Sequence, residues 1–417
     1  MKRLAIVGCG NRCYYSFATK LRDNFKDKVE IVGCCDTNIK RCEYFRETIN
    51  PFMKIYEVKD FDTMLDELKP DSVLVATPDC YHHEYISRAM HKGCDVYCEK
   101  PVTIDEEKCR VIRQAEKETG KKLTVTFNCR FQPHFAKIKE LLESGVIGKP
   151  LYVNYHYMLH PIHGGDYFKR WHRFMERSGG MLLHKSTHHF DVMNWILNDE
   201  PVTVSAQGAR LFYGNDDRPH GKRCTQCAYT NECPTYQADM FDLDSMKALW
   251  LKAEEIDGYQ RDHCAFESDT DIYDTMSVNV TYKSGAMMTY GICFYSTQEG
   301  YRIDIVGEKG RLTVEQIHTS YGYEQGGKNV RIIIHHRDGQ TDEIVLPKPK
   351  GSHMGGDDLM LDMLFGDPKE DPLGQCADTF DGIKSAMIGI AANRSIKEGR
   401  RINVAEILED LKCEYKL

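Results

Sequence analysis

Glu99-Lys100-Pro101 sets an acid, a base and a strand-ending proline side by side. A charged lysine held at such a point can polarise a hydroxyl or a carbonyl and steady a developing oxyanion. The same lysine serves as a base only where burial or a neighbouring charge lowers its pKa. Glu99 is expected to orient the lysine or its loop rather than to react. All three residues are common, so the meaning of the tripeptide depends on what surrounds it.

Upstream, a short apolar run at 3–7 leads into Gly8-Cys9-Gly10-Asn11-Arg12-Cys13. Gly8 and Gly10 match the first two glycines of G-x-G-x-x-G. The first permits a tight strand-to-helix turn and the second lets the backbone approach a pyrophosphate, which the helix N-terminus then favours. Cys13 stands at the third position, a helix-like stretch runs from Tyr14 to Phe25, and Asn11 and Arg12 are among the expected cofactor contacts. Asp36 ends the second β run, where its carboxylate would accept ribose hydroxyls and repel a 2′-phosphate. That favours NAD over NADP, although Lys40 and Arg41 one helical turn on keep NADP open. Thr77-Pro78 ends the next strand and His82 follows. Thr77, Pro78, His82, Glu99 and Lys100 complete the expected cofactor edge.

A second cluster lies downstream: His160, His163, His172, His184, His188 and His189. Imidazoles both donate and accept hydrogen bonds, as a sugar pocket requires. They also bind zinc or manganese. Helical spacing would place His184 and His188 on one face, so a metal-free sugar pocket stands against a two-point metal site. Tyr167, Trp171 and His172 form either a sugar-stacking wall or ordinary loop packing. Lys185 is either a substrate contact or a solvated helix residue. Cys224-x-x-Cys227, with Cys233 and then Cys264, has the spacing of a structural zinc site. Free surface thiols and an iron–sulfur cluster are the alternatives.

The elements that position these residues change character midway. Strands alternate with helices as far as Phe127, which implies a parallel sheet with helices on both faces. Ligands bind such a sheet at the carboxyl ends of its strands. After Asn128 come a helix at 133–144, a β run at 151–158 and a helix at 185–197. β-type segments then follow at 202–213, 274–282, 285–297, 301–306, 310–315 and 329–336, with closing helices near 356–365 and 376–397. This predicts an N-terminal Rossmann domain over 1–128 and an α+β domain over 129–417 on a largely antiparallel sheet, with a cysteine-containing insertion at about 214–268. With 417 residues, 41% hydrophobic and 28% charged, the chain has the profile of a globular protein. A net charge of −8 gives no reason to expect nucleic acid, and no run approaches a membrane helix. Seventeen cysteines without an export signal suggest reduced thiols and a cytoplasmic location.

In order, Gly8-x-Gly10, Asp36, Ala76-Thr77-Pro78 with His82, and Glu99-Lys100-Pro101 resemble the Gfo/Idh/MocA oxidoreductase family. Arg130 with Gly145-x-Ile147-Gly148, Gly179-Gly180, His188, Asp191, Trp195 and Gly307-Glu308-Lys309-Gly310 resemble the family's second-domain pattern. The likeness covers nearly the whole chain apart from the insertion. It implies a Rossmann domain followed by an open-faced sheet, NAD(P), and a sugar or cyclitol substrate. Lys100 and His188 would be the catalytic lysine and histidine, with Arg130 and Lys185 near the substrate. Relatives are commonly oligomeric, so a homodimer or homotetramer is expected. One departure is marked: His184 stands where many members carry aspartate. An imidazole cannot supply that negative charge, so the two histidines share a proton, another acid assists, or a metal lies between them. The expected reaction is oxidation of a secondary hydroxyl. The alternatives are a glycosidase or lyase that oxidises, eliminates and returns the hydride, and a cofactor-binding sensor without turnover.

Overall fold

A computed structural model describes residues 1–215, 217–237, 242–318, 329–347 and 351–410. Residues 216 and 238–241 of the insertion lie outside the described residues. The chain packs as two units: 1–128 with 237–261 and 351–383, and 129–236 with 262–350 and 384–417. Segments 237–261 and 351–383 therefore pack with the first unit, although they follow the start of the second in sequence.

In the first unit, six strands run parallel: β1 (Lys2–Val7), β2 (Val29–Asp36), β3 (Lys54–Glu57), β4 (Ser72–Val75), β5 (Asp95–Cys98) and β6 (Leu123–Val125). Their order is β3-β2-β1-β4-β5-β6. The order reverses between β1 and β4, which opens a crevice at their carboxyl ends. Gly8, Asp36, Ala76 and Glu99 all stand at or just beyond such ends. β4 is buried along its whole length, as expected of a strand covered on both faces. The helices between strands stop where their caps dictate. Asn38 and Asp105 accept hydrogen bonds from Lys40 N and Lys108 N at two N-termini, and Gly120 takes φ +66° at a C-terminus. The first helix begins at Asn11 rather than Tyr14 and has a π turn at Tyr14–Ala18.

In the second unit, nine strands form one sheet: β7 (Pro150–Met158), β8 (Pro201–Ala209), β9 (Thr275–Tyr282), β10 (Met287–Cys293), β11 (Gly300–Gly307), β12 (Gly310–Ile317), β13 (Asn329–His336), β14 (Thr341–Pro347) and β15 (Ile402–Asn403). The order is β14-β13-β12-β11-β7-β10-β9-β8-β15, antiparallel throughout except for β7 beside β10. Buried and more exposed residues alternate along β9, β10 and β11, so one face packs and the other stays open. Leu249 and Ala253 of the insertion are fully buried in the first unit, while Cys264, Ala265 and Phe266 are buried in the second.

Candidate functional site

Gly8 is required by its surroundings. Its φ is +93°, and a Cβ there would lie 2.5 Å from the Ala76 carbonyl oxygen. The turn therefore draws the ends of β1 and β4 together and leaves the Gly10-Asn11 backbone at the start of the helix. Asp36 is nearly buried. Its Oδ2 accepts from Cys9 N at 2.7 Å and its Oδ1 from Asn38 N at 2.9 Å. A glycine cradle that a side chain would fill, a helix N-terminus and a fixed carboxylate together fit a dinucleotide.

Several expected cofactor residues have other work for their side chains. Arg12 is turned onto two carboxylates: Nε lies 3.0 Å from Glu99 Oε1 and Nη2 lies 3.1 Å from Asp357 Oδ1. Glu99 accordingly holds Arg12, and it also accepts from the Thr126 hydroxyl at 3.0 Å. His82 is fully buried, with Nδ1 2.8 Å from the Pro101 carbonyl oxygen and Nε2 2.9 Å from that of Thr77. It ties the Thr77-Pro78 turn to the cis Lys100-Pro101 peptide and is a positioning residue. Burial lowers its pKa. A further acid, Asp79, lies within electrostatic range of Lys100. Burial pushes its carboxyl pKa up, and the lysine charge opposes that rise. Segment 353–357 returns to this side of the first unit, where fully buried Asp357 also accepts from Asn128 Nδ2 at 2.7 Å.

The histidine cluster belongs to the second unit. His184 and His188 do not share a helix. One short helix ends at His184, Lys185-Ser186 turn, and a second begins at Thr187. Ser186 is fixed there by the Tyr290 hydroxyl, which donates to its Oγ at 3.0 Å, and His189 Nδ1 lies 2.7 Å from the same tyrosine oxygen. The His184 ring instead meets His172, with centroids 4.1 Å apart, and Trp171 and Tyr167, each at 5.6 Å. Trp171 stacks on His172 at 3.7 Å. Tyr167, Trp171, His172 and His184 thus form one aromatic, polar group. Lys185 Nζ lies 5.2 Å from the Tyr157 ring centroid. Arg130 has a role of its own in the Asp191 pair. It is buried and gripped by Asp191, with Nε–Oδ2 2.8 Å and Nη2–Oδ1 2.6 Å, a bidentate pair that locks the helix carrying His188.

Glu299 supplies the carboxylate absent at position 184, though not to that histidine. Its Oε1 lies 2.8 Å from His163 Nδ1, and His163 Nε2 lies 3.1 Å from the Tyr167 hydroxyl. His318 Nδ1 is 3.4 Å from the same oxygen. Burial raises the Glu299 pKa, but the two imidazoles outweigh it and hold the carboxyl well below its ordinary range. No sequence motif marks Glu299 or Asp79.

Cys224, Cys227, Cys233 and Cys264 all line one cavity of the second unit. Cys227 Sγ accepts from Tyr229 N at 3.4 Å and Cys264 Sγ from Phe266 N at 3.5 Å. No three of the four sulfurs lie within 4.8 Å of one another; among the described residues only Cys9, Cys34 and Cys42, buried in the first unit, gather that closely. The Cys9 and Cys42 Sγ atoms lie 3.8 Å apart. No helix among the described residues is long and apolar enough to cross a membrane.

Residues 2–127 match a family model described as an oxidoreductase family, NAD-binding Rossmann fold. Residues 139–404 match the C-terminal alpha/beta domain of the same family. A Bacillus subtilis strain 168 protein named "Putative oxidoreductase YteT" is 32% identical over 98% of this chain and 99% of its own length. Inositol 2-dehydrogenase of Rhizobium meliloti is 33% identical over 37% of this chain and 45% of its own. Among solved structures, the WlbA dehydrogenase of Bordetella pertussis, in complex with NADH and UDP-GlcNAcA, superposes with TM-score 0.66 and 19% identity, covering 96% of this chain and 98% of that one. The aldose-aldose oxidoreductase of Caulobacter crescentus gives 0.64 and 18%, over 96% and 99%. At such identity the two structures support the fold.

Proposed function

The chain belongs to the GFO/IDH/MocA oxidoreductase family and is an NAD-dependent oxidoreductase, and from that premise we propose that its substrate is a sugar, glycoside or cyclitol oxidised at a secondary hydroxyl. The observation that carries this reading is the polar aromatic group around Tyr167. Its imidazoles and phenol supply donors and acceptors, and Trp171 and His172 supply stacking faces, which is the chemistry a polyol ring needs. Relatives that match part of the chain include an inositol 2-dehydrogenase and a D-glucoside 3-dehydrogenase. NAD, when bound, accepts the hydride. Charged Lys100 is proposed to steady the developing oxyanion, and His188 to take the hydroxyl proton. His184 with His172 is proposed to orient hydroxyls. Incubating sugars, cyclitols and aryl glycosides with NAD tests this reading through NADH absorbance and product analysis. Failure of every polyol to reduce NAD or to be transformed would sink it.

A second reading is favoured by the Glu299–His163–Tyr167 chain, which offers an acid–base path separate from Lys100 and His188. A glycosidase or lyase needs such an extra group to protonate its leaving oxygen while the hydride is held and later returned. It would release product with no net NADH and exchange the proton beside the transient ketone with solvent deuterium.

We also propose a structural zinc held by Cys224, Cys227, Cys233 and Cys264. All four cysteines line one cavity, and the N–H···S bonds to Cys227 and Cys264 suit thiolate ligands. Burial holds the Cys264 thiol up at about 11, so a metal must displace its proton and draw the sulfurs together. Assembly as a homodimer or homotetramer is proposed through the open sheet face, where Tyr152 and Met287 pair across β7 and β10 and are exposed.

A further inference from the structure

Two carboxylates distant in sequence hold one guanidinium. Arg41 Nη1 donates to Asp36 Oδ1 at 3.2 Å, and Nη2 lies 2.7 Å from Asp257 Oδ2. Nε donates to the Leu249 carbonyl at 3.0 Å, and the Trp250 ring lies beneath the guanidinium at 4.8 Å. Every partner except Asp36 comes from 237–261, which packs with 1–128. The same segment reaches the glycine turn. Trp250 Nε1 donates to Asn11 Oδ1 at 2.6 Å, and a Cβ on Gly10 would meet the Trp250 ring at 4.0 Å. On the other side, Asn38 Nδ2 donates to the Ala253 carbonyl at 2.7 Å. One segment of the insertion is therefore fastened both to the turn that takes a pyrophosphate and to the turn that takes the adenosine ribose.

We infer that this segment is part of the cofactor site, and that Asp257 makes the site selective for a dinucleotide with a free 2′-hydroxyl. The inference rests on the reading that NAD binds at Gly8, Gly10 and Asp36. A 2′-phosphate brings close to two negative charges and needs a cation with donors to spare. Arg41 is the cation that follows Asp36, and its edges are turned to Leu249, Asp36 and Asp257. Two carboxylates around one guanidinium leave a net negative charge beside the ribose. Lys40 offers no ready substitute, because its ammonium sits 3.5 Å from Glu43. Asp36 alone disfavours the phosphate; Asp257 removes the arginine that would otherwise accommodate it.

Calorimetric titration of the full-length chain with NAD+ and NADP+ tests this. Asp257→Asn should raise NADP+ affinity relative to NAD+ by about tenfold, the scale of one charge-assisted hydrogen bond. Asp257→Ser should do the same, so a folding defect in one variant does not decide the matter. Adding Arg41→Met to Asp257→Asn should cancel the gain, as expected of directly coupled residues. An unchanged affinity ratio in both Asp257 variants, or a gain that survives loss of Arg41, overturns the inference. Binding of neither nucleotide by the wild-type chain overturns the dinucleotide reading and this inference with it. NAD+ binding with an unmoved ratio overturns the inference alone.

Discussion

Glu299 and His163 form a carboxylate–imidazole pair 2.8 Å apart, and the far nitrogen of the imidazole reaches the Tyr167 hydroxyl at 3.1 Å. The carboxylate fixes the ring and its tautomer, so that the phenol has a defined proton partner. Glu299→Gln keeps the shape and removes the charge. It should lower kcat/KM on the best substrate by about a hundredfold or more, the low end of general acid–base effects, and move the pH–rate profile. A variant with wild-type rate and profile would leave the chain a structural feature only. Stability should respond too. The folded Glu299 carboxyl is held below its unfolded value of about 4.3. Its contribution is therefore complete above that pH and lost as pH falls toward the folded value. Acid titration of the melting temperature should show a shallower loss in Glu299→Gln than in the wild type.

Lys100 sits beside two buried groups. His82 binds the Pro101 carbonyl, and Asp79 lies within range of the ammonium. Lys100→Met should reduce turnover by roughly a hundredfold to a thousandfold, as loss of an oxyanion donor does, with NAD+ affinity nearly intact. Near-normal turnover would end the catalytic role. A parallel loss of NAD+ binding would mean the lysine serves the cofactor instead.

Arg12 is the shared counter-charge of two buried acids. Asp357 is fully buried and Glu99 nearly so, and the guanidinium lies about equally close to each. Arg12→Met should destabilise the folded chain by about 3 kcal/mol, because two buried carboxylates lose their shared counter-charge. Arg12→Lys should recover part of the loss without the two-sided geometry. Denaturant unfolding measures both. An unchanged midpoint in Arg12→Met would show that the acids are satisfied without it.

The six parallel strands and the Gly8, Asp36 and Lys100 positions were legible because each strand is a short apolar run ended by a residue with a distinct backbone or charge role. The second sheet was legible through alternation, except at its edges. β14 reads Thr-Asp-Glu-Ile-Val-Leu-Pro, which is mostly exposed and carries too little apolar period to declare itself. The break between His184 and His188 was hidden because a hydroxyl from β10, far off in sequence, holds Ser186. The Arg130–Asp191 pair was hidden for the same reason: the two residues are remote in sequence and meet only in the folded core. Glu299 and Asp79 are single acids without spacing to betray them. In the insertion, Met246, Leu249 and Ala253 recur at helical spacing and are buried. That period was the available signal.

The four insertion cysteines make the last prediction. Zinc ligands in a tetrahedral site stand about 3.8 Å apart at Zn–S distances of about 2.3 Å, closer than three of these sulfurs lie here. Binding must therefore pull the cavity inward and expel protons from Cys224 and Cys264, whose thiols burial holds protonated. Elemental analysis of protein purified without chelator should find about one zinc per chain. Cys264→Ser should lose it, and chelation should lower the melting temperature of the wild type but not of the variant. Because Cys224 N donates to the Asp262 carbonyl at 2.8 Å and Cys264 N to that of Lys222 at 2.9 Å, metal loss should also loosen these links and raise proteolytic cleavage in the segments that carry the thiols. Metal-free protein with full stability, or brown protein with absorbance near roughly 400 nm from an iron–sulfur cluster, would overturn the zinc assignment.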